Sequence, residues 1–126
     1  MFSVIDHIGI NCADYPKSQR FYDTVLGALG FTRQLDFGRA IGYGRDGHAA
    51  FWISDGAGMA PNRENHIAFE AAGEDAVRAF HQAAVALGAE SLHEPRVWPE
   101  YHPGYFGAFV RDPDGNNVEA VWHART

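Results

Sequence analysis

The chain has 126 residues, of which 46% are hydrophobic and 21% charged, and 10 basic residues against 16 acidic ones give a formal charge of −6. That mixture suits a globular protein with a core of its own and excludes a disordered or fibrous chain. The acidic balance leaves no basic stripe for nucleic acid, and no apolar run approaches the roughly 20 residues that span a bilayer.

Cys12 is the only cysteine, which excludes an internal disulfide and a multi-cysteine zinc site. The opening MFSVIDH lacks a basic region followed by an apolar one, so no secretory signal is expected. The expected location is the cytoplasm, with Cys12 reduced.

In chain order, residues 4–10 are short, branched and alternating, which predicts a strand. Ile5, His7 and Gly9 fall on one face, and Val4, Asp6, Ile8 and Ile10 on the other. Asp14 is placed to cap a helix that has Pro16 in its first turn. Phe21, Tyr22, Val25, Leu26 and Leu29 recur at helical spacing, and Gly30 suits the stop. Residues 31–37, 39–44 and 48–54 read as three short strands split by Gly and Asp-Gly turns. A strand at 65–71 follows, then a helix at 74–87 that buries Val77, Phe80, Ala84 and Leu87. Residues 89–93 predict a strand, and residues 94–104 (EPRVWPEYHPG) a loop rich in Pro, Gly and aromatics. Strands at 105–111 and 116–123 close the chain around Asp114-Gly115.

The order strand, helix, three strands is thus written twice. Three landmarks recur in the same sequence: HIGI at 7–10 and HIAF at 66–69, Gly30 and Gly88, Asp46-Gly47 and Asp114-Gly115. The expectation is one α+β domain of two modules, about 1–60 and 64–124.

A histidine on the inward face of a strand needs a partner. His7 and His66 hold equivalent positions in the two modules. If the modules pair about a pseudo-two-fold axis with their first strands side by side, the two imidazoles approach each other. Glu119 lies between Val118 and Ala120 in the last strand. Unless that face is solvated, the carboxylate needs a positive charge beside it. Two imidazoles and a carboxylate form the facial triad that holds non-haem iron and other divalent metals.

The strings DHIGI at 6–10, RFYDTVLGALGF at 20–31, NHIAF at 65–69 and FVRDPDGNNVEAV at 109–121 resemble the vicinal oxygen chelate superfamily. That superfamily includes glyoxalase I, extradiol dioxygenases, fosfomycin-modifying enzymes, epimerases and bleomycin-resistance proteins. The resemblance implies paired βαβββ modules forming an incomplete mixed barrel around a metal-centred cavity. It also implies a homodimer, with modules paired within or across subunits. Carried over residue by residue, His7, His66 and Glu119 become ligands of a divalent metal such as Fe, Ni, Zn or Mn. The fourth family position falls on Phe51 or Trp52, neither of which binds a metal. This departure weakens a lactoylglutathione lyase reading, while the dioxygenase branch uses a His, His, Glu set.

The implied function is a metal-dependent enzyme acting on a small organic substrate through vicinal-oxygen chelation, with Glu119 as ligand and proton acceptor. The loop with Trp98, Tyr101 and His102, and Tyr105 just past it, suits a lid or substrate wall, or else a satellite core under a long loop. His102 is the acid–base candidate if it reaches the cavity. Phe51, Trp52, Trp98, Tyr101 and Tyr105 are the candidate substrate contacts. His48, His81, His93 and His123 read as surface or structural residues. The alternatives are a metal-free, drug-sequestering binding module whose aromatics stack on a cationic ligand, and an inactive relative kept as a structural partner.

Overall fold

The computed structural model describes residues 5–124, so Val4, at the start of the first predicted strand, lies outside the described residues. The first module runs β1 (Ile8–Cys12), α1 (Tyr15–Ala28), β2 (Thr32–Asp36), β3 (Ala40–Arg45) and β4 (His48–Asp55). The second repeats it as β5 (His66–Glu70), α2 (Glu74–Ala86), β6 (Ser91–Val97), β7 (Tyr105–Arg111) and β8 (Asn117–His123).

Local signals explain the helices. The Asp14 carboxylate accepts from the Lys17 amide at 3.2 Å, satisfying a first-turn donor just after Pro16. Phe21, Tyr22, Val25, Leu26 and Leu29 are all buried, as their spacing predicts. Both helices stop alike. Gly30 and Gly88 take φ of 89° and 88°, and the next amides, Phe31 and Ala89, donate back to Leu26 and Ala84 at 2.9 and 3.0 Å. Leu87 departs from the predicted buried face: it sits at the cap, past the last full turn, and is 38% exposed.

Each module makes one four-stranded mixed sheet, ordered β1-β4-β3-β2 and β5-β8-β7-β6. The first strand of each module runs parallel to the last, and the other pairs are antiparallel. β6 continues to Val97, into residues predicted as loop, although Pro95 lies within it. As an edge strand it tolerates a residue without an N–H, and its register shifts on either side of His93.

The first strands do not lie side by side within the chain. β1 and β5 belong to different sheets, each at an edge, and no ladder joins them among the described residues. The modules meet instead through α1 against α2 and one shared core. The apolar faces of the helices dictate this arrangement, because those faces must be covered. Phe51 of β4 and Phe69 of β5 meet edge-on, with centroids 5.1 Å apart. The Tyr22 hydroxyl of α1 donates to buried Asp112, in the β7–β8 turn, at 2.6 Å.

Candidate functional site

Residues in register on neighbouring strands point to the same side of a sheet. In the second module, Ala68 stands opposite Glu119, and Glu119 opposite Phe109. His66, two residues before Ala68, shares that face, which is the side away from α2. Glu119 Oε1 lies 2.9 Å from His66 Nε2. The other carboxylate oxygen, Oε2, accepts from the Tyr105 hydroxyl. Glu119 is 1% exposed, while the His66 side chain is 49% exposed and opens the cluster to solvent.

The protons of this cluster follow from its partners. His66 Nδ1 faces the Asn117 carbonyl at 3.2 Å, and a carbonyl only accepts, so Nδ1 carries a hydrogen. In a neutral ring Nε2 would then be an acceptor pointing at a carboxylate oxygen, whereas a protonated ring donates to it. Two acceptors at 2.9 Å require a proton or a cation between them. The carbonyl-to-Nδ1 bond is also the outer support usual for a metal-binding imidazole. The ring of Phe109 lies nearly parallel to that of His66, with centroids 5.9 Å apart. Burial, then the bond to Glu119, raises the pKa of Tyr105, so its phenol stays a donor at neutral pH.

In the first module His7 stands just before β1, with its side chain 60% exposed. Its Nδ1 bonds Asp6 Oδ2 at 2.8 Å, which leaves Nε2 with the lone pair. The hydrogen bond from His7 is the main cause holding the Asp6 carboxyl below its ordinary value. His48 Nε2 lies 3.1 Å from the Asp6 carbonyl and donates to it. The structure brings His66 and Glu119 together but leaves His7 apart from them. Among the described residues no three His, Cys, Asp or Glu side chains could hold one metal ion.

Register identifies the fourth position as Trp52. It stands opposite Gly9 as Glu119 stands opposite Ala68, and Gly9 follows His7 by two residues as Ala68 follows His66. Cross-strand partners are exchanged in size: Phe109 faces Glu119 in one module, and Gly42 faces Trp52 in the other. A Cβ on Gly42 would come within 2.7 Å of the indole, so the ring needs that glycine. Trp52 Nε1–H donates to the Ala49 carbonyl at 3.2 Å, and Phe37, 70% exposed, stacks on the indole at 5.8 Å.

The other aromatic candidates divide. Phe51 is in the core: it points toward α1, with its ring 4.9 Å from Tyr22, because adjacent strand residues face opposite sides. Trp98 is 5% exposed and donates to the Gly107 carbonyl at 3.0 Å. Arg96 lies 3.4 Å from its ring centroid, and Tyr101 stacks on it at 5.7 Å. Neither Phe51 nor Trp98 offers a free face to a ligand. Tyr101 and Tyr105 are adjacent, with centroids 4.9 Å apart. His102 packs on Tyr105, but Pro103 O at 2.7 Å and His123 Nδ1 at 2.9 Å engage both its nitrogens. Phe37, the Gly42–Trp52 exchange and the His102–His123 pair lie outside what sequence periodicity flags. An apolar residue at a turn and a lone glycine carry no chemical signal of their own.

The Glyoxalase/Bleomycin resistance protein/Dioxygenase superfamily model matches residues 4–120, and the chain belongs to this superfamily. A glyoxalase/bleomycin resistance protein from Albidiferax ferrireducens T118 is 27% identical, with a TM-score of 0.82 over 95% of this chain and 99% of its own. Lactoylglutathione lyase from Agrobacterium tumefaciens shares the fold at 22% identity and a TM-score of 0.66, over 95% of this chain and 93% of that one. A glyoxalase/bleomycin resistance protein/dioxygenase family enzyme from Burkholderia phytofirmans PsJN shares it at 18% identity and a TM-score of 0.70, over 94% and 98%. No curated protein matches the chain. Among the described residues no helix is long and apolar enough to cross a membrane.

Proposed function

We propose that the chain is a metal-dependent enzyme acting on a small organic substrate through two adjacent oxygens, with each site completed across a homodimer. The observation that carries this reading is the convergence of His66 Nε2 and buried Glu119 Oε1, 2.9 Å apart, on one face of the second sheet. A divalent cation fits between such donors, and two imidazoles with one carboxylate suit Fe, Mn, Zn or Ni. When bound, the cation would polarise the substrate oxygens and offset the charge that develops on them.

The third ligand is His7 of the partner subunit. Among the described residues β1 and β5 each have one edge without a strand partner, and each follows or starts at a histidine. Open edges favour pairing with another strand. A second copy docked edge to edge would bring its His7 to His66 and Glu119. Glu119 is then ligand and proton acceptor. His102, with both nitrogens engaged, acts only through its link to His123. Trp52 with Phe37 forms one wall, and Tyr101 beside Tyr105 forms the other.

Elemental analysis of protein purified without chelator tests the metal. The expected result is near one divalent ion per chain, and little in His66→Ala. Mixing His7→Ala with His66→Ala chains tests the pairing, since a heterodimer holds one intact site and should regain part of the metal. A complete absence of metal after reloading rules out the reading. The exposed Phe37–Trp52 stack favours a second reading, a metal-free binder of flat ligands. Ligand-induced stabilisation that is unchanged by chelator would select it.

A further inference from the structure

A cavity of about 520 Å³ lies where the start of α1 meets the end of α2 and the β7–β8 turn. That volume suits a small organic molecule. None of the residues lining it belongs to the His66–Glu119 cluster. We infer that it is a second binding site, for a small amphipathic carboxylate whose charge meets Lys17 and Arg20 and whose apolar body covers Phe21 and Leu87. This site stands apart from the metal reading.

The other charges that line the cavity are already engaged. Asp14 holds the Lys17 amide at 3.2 Å. Asp112 is buried and takes the Tyr22 hydroxyl at 2.6 Å. Arg111 bonds Glu64 at 2.6 Å and lies 3.7 Å from Glu90. Among the described residues the side chains of Lys17 and Arg20 make no hydrogen bond or ion pair. Arg33, Arg78 and Arg96, by contrast, each carry a carboxylate partner. A chain with 16 acidic residues against 10 basic ones thus leaves two neighbouring cations unmatched at one cavity. They stand three residues apart on one face of α1, where like charges repel. An anion between them relieves that repulsion. Arg20 can grip a carboxylate through two N–H groups, and Lys17 adds a point charge. Asp14 and Glu90 stand close by and disfavour an anion of higher charge.

The apolar half of the site comes from both modules. Phe21 of α1 is 4% exposed and shares the lining with half-buried Ala89 and Pro113. Leu87 continues the α2 face of Val77, Phe80 and Ala84 but stands uncovered at the cavity. A hydrocarbon body placed there removes the exposed Leu87 surface from water. It also bridges the modules, so binding should raise the melting temperature.

The test titrates wild-type protein with octanoate and follows backbone amides by NMR. The expected result is saturable shifts at Gly88, Ala89 and Gly115, half complete at or below about 1 mM. Octanamide, which is neutral, should bind about 10-fold more weakly or worse, as should octanoate to the Lys17→Ala, Arg20→Ala double variant. Acetate, which lacks the apolar body, should give no saturation below about 100 mM. Both substituted residues are exposed side chains without partners, so the fold should persist. Absence of shifts up to about 10 mM octanoate overturns the inference, and so do shifts confined to the surroundings of Trp52 or His66. Affinities within about two-fold for octanamide and for the double variant leave an apolar crevice without anion recognition, which overturns it too. Acetate binding as tightly as octanoate overturns the role of Leu87 and Phe21, and with it the amphipathic ligand.

Discussion

The Tyr22 hydroxyl donates to Asp112 Oδ2 at 2.6 Å, and this buried bond ties the helix of the first module to the β7–β8 turn of the second. Asp112 also organises its own turn. Its Oδ1 accepts from the amides of Asp114 and Asn116, at 2.9 and 2.8 Å, and the Asn116 side-chain amide donates to Oδ2 at 3.0 Å. Burial, then the charge of Asp112, pushes the Tyr22 phenol well above its ordinary pKa, so it remains a donor.

Tyr22→Phe should therefore cost about 1.5–3 kcal/mol, the range for a lost bond to a charged group. Urea unfolding with an unchanged slope would read it out. A loss below about 0.5 kcal/mol would mean that the turn holds Asp112 without help from α1.

Cys12 is fully buried, and burial pushes its thiol up to about 11. The unfolded thiol ionises earlier, so the folded state holds more protons over the interval between. Stability is then fully present below about pH 8.5, the ordinary thiol value, and falls as pH rises toward 11. Cys12→Ala should flatten this alkaline decline. Thiol labelling at pH 8 should be slow in native protein and fast in urea, and equal rates would show an open Cys12.

Gly42→Ala places a Cβ within 2.6 Å of Ala49 Cβ and 2.7 Å of the Trp52 ring. Overpacking of this kind costs about 1–3 kcal/mol. The expected result is a lower melting temperature together with a shifted Trp52 emission. Unchanged values for both would show that the indole has room to move.

Glu119→Gln keeps the shape and removes the charge. The cation-binding reading expects metal uptake to fall at least about 100-fold while the fold persists, given the cost of leaving a buried charge uncompensated. Dialysis against a buffered metal series measures it. Unaltered uptake would show that the ion binds elsewhere.

Much of this fold is legible in the sequence because its signals are local. Asp14, Pro16 and Gly30 delimit α1, and the β7 bounds of 105 and 111 coincide with the predicted ones. β6 is missed beyond His93 because Pro95 marks a loop unless the strand is known to be an edge. In the site, His66 and Glu119 are legible as a pair, but their facing depends on register, which alternation alone leaves open. The separation of His7 from them depends on α1 packing on α2, a contact between elements distant in sequence. Trp52 is distinguished from Phe51 by the strand opposite, through Gly9, and no count along one strand reveals that.

Among the described residues the two outer strands of each sheet are not alike. β2 and β6, on one side, carry register shifts against their neighbours, and β6 carries Pro95; β1 and β5, on the other, pair with no shift at all. Strands with bulges or proline resist recruiting further chains. A strand added to either sheet would therefore meet fewer obstacles at β1 or β5 than at β2 or β6. The obstacle to strand addition at β2 and β6 is thus built into the backbone itself.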